Sequence, residues 1–198
     1  MMSHNARYGK SGGWVHWMTM IAMLIVLAPG CARDAGDQAQ EEILDDPRAT
    51  ELDRQMIART YELARAASEQ GNPPFAAVLV KADSILAEAV NTGISSGDVT
   101  RHAELSLVSD ASRQFGRGEL SKCTLYTSTE PCVMCSGAIR WAGIPRVVYG
   151  APQNLGGRFQ EIPCREVLGK ISPETEVIGP VMSKEGEQLR SGFHRKRG

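Results

Sequence analysis

Two thiols three residues apart, Cys132 and Cys135 in EPCVMC (130–135), are the first group in this sequence whose type and spacing can do chemistry. They can close a disulfide, run thiol–disulfide exchange or hold a metal. Spacing alone does not choose. Past the N-terminal segment only His102 and His194 occur, and His194 sits in the basic tail 194–197. His102 is therefore the candidate partner for the thiols. Two soft thiolates and one imidazole suit Zn²⁺, and three ligands leave the fourth position open, as a catalytic zinc needs. Pro131 favours a helix start at this point, and the helix dipole keeps both thiols ionised. Glu104, two residues after His102, is placed for general acid–base work beside such a site. A redox disulfide and a purely structural zinc site stay open as alternatives on these residues.

The flanking elements must position these groups. Leu52, Met56, Tyr61, Leu63 and Ala64, with helix formers between them, predict a helix over 51–69, ended by Gly71-Asn72-Pro73-Pro74. FAAVLVK (75–81) is a short apolar run typical of a buried strand, and ILAEAVN (85–91) is its hairpin partner. After a Gly/Ser loop, Ala103, Leu107, Ala111 and Phe115 form one stripe at i+4 spacing, which predicts a helix over 102–115. CTLYTST (123–129) and RVVYGA (146–151) read as strands around a helix over 132–142 closed by Gly143. A strand over 175–182 and a helix from about Lys184 follow. Strands alternating with helices indicate an α/β sheet with helices on both faces. There is no internal repeat and no low-complexity tract.

H-x-E at 102–104, followed 27 residues later by P-C-x-x-C, is a signature of zinc deaminases that act on bases. The sequence resembles the cytidine-deaminase-like superfamily, within it the branch of guanine deaminase, yeast-type cytosine deaminase and bacterial tRNA adenosine deaminase. The resemblance runs from about Glu51 to Gly157. PFAAVLV (74–80), Asn91, HAE (102–104), EPCVMC (130–135) and SGAIRWAGIPRVVYGA (136–151) carry it. It implies a three-layer α/β/α sandwich around a central mixed five-stranded sheet. It also implies Zn²⁺ on His102, Cys132 and Cys135, with a bound water whose pKa falls from 15.7 toward about 7. The resulting hydroxide attacks an aminated ring carbon, and Glu104 shuttles the proton that lets ammonia leave. Asn91 would hold the base through its amide, with the backbone of Ala103 and the Pro74–Phe75 turn lining the rest. Trp141 would stack on a purine or pack as a buried helix residue.

The substrate implied is a free nucleobase or nucleoside such as guanine or cytosine. The alternative is adenosine in tRNA, and a third reading is an inactive zinc-binding lipoprotein. Relatives in this branch are dimers or tetramers, so a homodimer is expected. The 198 residues carry 22 Lys+Arg against 23 Asp+Glu, a net charge of −1. No strong basic field favours nucleic acid as the default partner.

The N-terminus is a separate question. Residues 14–29 are almost free of charge, follow Arg7 and Lys10, and end at LAPGC with Cys31 last. This is the pattern of an export signal and resembles a lipobox, too short for a lasting membrane span. The division expected is an export or lipoprotein-type segment over 1–30, a linker over 31–50 and a deaminase domain over 51–198. The protein would then reside in a bacterial cell envelope, held to the membrane through its N-terminus only. Met56 is an alternative start, which would make it cytoplasmic. Cys123 and Cys164 are read as buried apolar residues, or as a disulfide if the chain is exported.

Overall fold

Alternation along the strands decides the layering. In β3 (Cys123–Thr129), Cys123 and Leu125 enter one apolar layer and Tyr126 the other, as the two-residue period of a strand requires. β1 (Ala76–Lys81) and β4 (Arg146–Ala151) do the same: Ala77, Leu79, Val147 and Tyr149 join Leu125, while Val78, Val80 and Val148 join Tyr126. Strands apolar on both sides need both faces covered. On the first face, α3 (Ala103–Phe115), α5 (Val133–Ala142) and α6 (Cys164–Gly169) supply Leu107, Ile139 and Leu168. On the second, α1 (Glu51–Glu69) and α7 (Ser183–Arg197) supply Ile57, Tyr61 and Leu189. The result is the three-layer α/β/α arrangement.

This computed structural model describes residues 44–153, 162–170 and 175–197, without the side chains of 194–197. Its sheet has the order β2-β1-β3-β4-β5, with β2 spanning Ser84–Val90 and β5 spanning Glu176–Ile178. β1 runs antiparallel to β2 and β3, whereas β3, β4 and β5 are mutually parallel. The sheet is therefore mixed and five-stranded, as expected. Two short helices, α2 (Gly93–Ser96) and α4 (Arg117–Leu120), lie in the connections.

Several expectations need correction. The strand expected over 175–182 stops at Ile178, because Gly179 turns the backbone and Pro180 has no amide hydrogen to continue the ladder. Val181 instead donates to Tyr149 O and Gly150 O. The last part of the expected linker is folded onto the domain: Asp45 accepts from the backbone N–H groups of Met182 and Ser183, and Asp46 from that of Gly179. Met56 lies inside α1, so a chain starting there would lack this strap and the Thr50 cap of the helix. Cys123 and Cys164 are both free. Cys123 opens β3, whereas the Cys164 N–H bonds Glu130, one residue past the other end of that strand. A seven-residue strand spans about 20 Å, and a disulfide needs Cα atoms within about 7 Å. Residues 1–30 and Cys31 fall outside the described residues. Among the described residues no helix is long and apolar enough to cross a membrane.

Candidate metal centre and active site

Two helix N-termini converge at the end of the sheet where β3 finishes. His102 is the N-cap of α3, and Cys132 is the N-cap of α5 with Cys135 in its first turn. Neither cap residue uses its side chain to satisfy its own helix, so both side chains remain available. The sequence places them there through β3: the strand ends at Thr129, and Glu130-Pro131 turns the chain into α5. The Glu130 carboxylate fixes this turn from outside by accepting from the Cys164 N–H at 2.9 Å.

The three donor atoms fit one zinc ion. They all lie within 4.8 Å of one another. Zn–S bonds of about 2.3 Å and Zn–N bonds of about 2.0–2.1 Å at a tetrahedral angle place sulfur and nitrogen about 3.6 Å apart. His102 Nδ1 lies 3.6 Å from Cys132 Sγ and 3.7 Å from Cys135 Sγ. Two thiolates and an imidazole are the donor chemistry zinc favours, and the set is one ligand short of a closed site. The redox alternative is disfavoured by the same geometry, because both sulfurs turn toward His102 and both thiols are free.

The electrostatics of the protein alone show how tightly these groups are coupled. A hydrogen bond from Cys135 leads in pulling the Cys132 thiol down to about 4, and the His102 ring adds to it. Cys135 moves the opposite way, far up, first because it donates to Cys132 and then because it is buried. The bond to Cys132 raises His102. Burial raises Glu104, which is only 6% exposed. Glu104 Oε1 accepts from the Thr127 hydroxyl at 2.8 Å, while Oε2 faces Cys135 Sγ at 3.6 Å. A carboxyl held beside a metal site with raised proton affinity can carry a proton.

The residues expected to hold a substrate divide into two groups. Asn91 is buried at the end of β2, and its backbone N–H donates to Phe75 O at 2.8 Å. Phe75 is half-buried and Pro74 buried at the start of β1. Ala103, fully buried, follows His102 on α3, and the Thr92 N–H to Arg101 O bond draws the two loops together. These residues therefore connect, through backbone hydrogen bonds, to the loop that carries His102. Trp141 does not. It lies on the last turn of α5, nine residues and about 13 Å of helix beyond Cys132, and is 82% exposed. The alternative that Trp141 is a buried helix residue fails for the same reason.

Two other participants stand out only in the structure, although one of them left a signal in the sequence. Thr127 holds Glu104, and Gly93 makes room for Asn91. A Cβ on Gly93 would meet Asn91 Oδ1 at 3.3 Å and Asp98 O at 3.3 Å. The signal for Thr127 was present in the alternation: it is a hydroxyl residue on the same face of β3 as Cys123 and Leu125.

Comparison with known proteins agrees with this geometry. The profile of the cytidine and deoxycytidylate deaminase zinc-binding region matches residues 50–151. A probable cytosine deaminase of Schizosaccharomyces pombe is 35% identical over 153 residues, 73% of this chain and 93% of its own length. A tRNA-specific adenosine deaminase of Haemophilus influenzae is also 35% identical over 153 residues, 75% of this chain and 86% of its own. The solved structure of NE0047 in complex with 2,6-diaminopurine superposes with a TM-score of 0.63 at 25% identity, covering 74% of this chain and 83% of that one.

Proposed function

The chain belongs to the cytidine and deoxycytidylate deaminase zinc-binding family and is a zinc-dependent deaminase, and from that premise we propose that it hydrolyses the exocyclic amine of a free nucleobase or nucleoside. His102 Nδ1, Cys132 Sγ and Cys135 Sγ would hold the metal. A zinc ion there supplies the Lewis acidity that makes water a nucleophile at neutral pH. Glu104 Oε2, on the side of the metal ligands, would take the two protons of the attacking water in turn, delivering one to the ring nitrogen, where it stays, and the second to the departing amine. The amine leaves as ammonia only after it gains that second proton, since amide ion is far too basic to depart. Such transfer contributes about 10²–10⁴ in rate.

Asn91 orients the base. Its Oδ1 is committed to the Gly93 N–H at 2.9 Å. The NH₂ end of the amide is therefore what it offers a ligand, and it suits a carbonyl oxygen or an unprotonated ring nitrogen. Pro74, Phe75 and the backbone at Ala103 exclude water from the other sides.

Charge carries the free-base reading. With 22 cationic and 23 acidic side chains the chain lacks the positive excess that gripping a phosphate backbone demands. The likeness to a protein bound to 2,6-diaminopurine supports it. The second reading, adenosine in tRNA, is favoured by the 35% identity to a tRNA-specific deaminase and by the basic residues ending α7. Ammonia release from guanine, cytosine, adenine, 2,6-diaminopurine and their nucleosides, run beside inosine formation in tRNA, separates the two. At least one base or nucleoside is expected to reach a kcat/KM above about 10⁴ M⁻¹s⁻¹ with little dependence on salt. Turnover of tRNA alone, with binding that falls steeply as salt rises, would overturn the free-base reading.

A further inference from the structure

The groups assigned to metal and substrate leave the buried hydroxyl of Thr127 without a role. Thr127 is wholly buried, on the face of β3 where Cys123 and Leu125 enter the apolar core. A hydroxyl there costs free energy unless it is bonded, and valine, of the same shape, is the better strand former. Something must favour the oxygen. Three acceptors lie within reach of Thr127 Oγ1: Glu104 Oε1 at 2.8 Å, Thr129 O at 3.1 Å and Ala76 O at 3.3 Å. A hydroxyl has one hydrogen, and the shortest contact is to Glu104.

The consequence lies at the other carboxyl oxygen. Glu104 extends from α3 on three rotatable bonds, and an unanchored glutamate samples many rotamers. With Oε1 held against β3, Oε2 stands 3.6 Å from Cys135 Sγ, on the side of the metal ligands. We propose that Thr127 is a positioning residue: its hydroxyl clamps one oxygen of Glu104 so that the other faces the metal centre. The backbone of β1 keeps the clamp rigid, because Thr127 pairs with Ala77 in the sheet and its neighbour Ser128 accepts the Ala76 N–H through Oγ at 3.1 Å. Strand and helix are thus tied at the point where proton transfer takes place.

This inference rests on the proton-carrying role given to Glu104, and its test separates the two. Thr127→Val and Thr127→Ser are prepared as full-length zinc-loaded protein, with Thr127→Ala in reserve should valine impair folding and Glu104→Gln as the reference. Crystal structures report the Glu104 carboxyl, zinc content reports the metal, and ammonia release from guanine and cytosine reports kcat and KM. In Thr127→Val the carboxyl is expected to leave its place or split into several positions, at unchanged zinc stoichiometry. Its kcat falls about 10–100-fold, as for loss of a hydrogen bond to a charged group, with KM within about twofold. Thr127→Ser restores both the position and most of kcat. A carboxyl that keeps its place in Thr127→Val, or a loss that serine does not rescue, overturns the proposal. Full activity in Glu104→Gln would sink the role of Glu104 instead, and the crystallographic arm still decides whether Thr127 positions it.

Discussion

On one face of β3 the buried Glu104 holds a single side-chain oxygen donor, Thr127, among the described residues; on the other the buried Asp53 accepts four hydrogen bonds. Adjacent residues of one strand serve the two acids, Thr127 for Glu104 and Tyr126 for Asp53. Asp53 Oδ1 takes the Tyr126 hydroxyl and Arg146 Nη1, and Oδ2 takes Arg146 Nη2 and the Thr50 N–H. Burial raises both acids, but for Asp53 the guanidinium and the helix cap outweigh it and leave the group at about 2. At Glu104 a backbone hydrogen bond and the Thr127 hydroxyl also lower the group, but burial outweighs them and it stays raised. A bidentate guanidinium marks the carboxyl that builds the fold, and Glu104, which no guanidinium pairs among the described residues, is left able to move a proton.

Removing the charge from each acid is the sharpest way to break this comparison. Glu104→Gln is expected to lower kcat by about 10²–10⁴ while zinc content and stability hold, because this acid, paired with no guanidinium among the described residues, contributes chemistry and not folding. Steady-state kinetics and urea unfolding on the same preparation check both halves. Asp53→Asn should do the reverse. It leaves Arg146 half-buried without its bidentate partner and costs about 3 kcal/mol, with kcat within about threefold of the parent.

Acid sharpens the contrast further. The Asp53 carboxyl is depressed in the folded state, so its stabilisation is fully present above the ordinary value of 3.8 and drains away as pH falls toward about 2. On the order of 2 kcal/mol should disappear over that window. Urea unfolding at pH 6, 4, 3 and 2.5 should show this steep loss in the parent and a shallower one in Asp53→Asn. Equal slopes would contradict it. The smallest effect belongs to Trp141→Ala, at the exposed end of α5 remote from both acids. Stability should change by no more than about 0.5 kcal/mol and kcat/KM by less than twofold.

The elements around these groups were legible because their patterns are local. The strands over 123–129 and 146–151 stand between turn residues with apolar positions on both faces, and the first and last residues match those read from sequence. His102, Cys132 and Cys135 could be assembled from spacing, since each lies where a loop enters a helix. What sequence withheld was tertiary. The Asp- and Glu-rich stretch before Thr50 has the composition of a linker, yet Asp45 and Asp46 bind N–H groups more than 130 residues away. Trp141 has the type of a stacking residue, and only the rotation of α5 places it outside. The short helices α2, α4 and α6 have too few turns to show a period.

The proposed chemistry depends on a metal held by two sulfurs and one nitrogen with a position left for solvent. Zinc-edge X-ray absorption of the purified, zinc-loaded protein tests this most directly. One zinc per chain is predicted, with two sulfur neighbours at about 2.3 Å and two lighter ones, His102 nitrogen and a solvent oxygen, at about 2.0–2.1 Å. A shell of four protein ligands, or a protein that takes up no zinc because Cys132 and Cys135 are joined to each other, would contradict it.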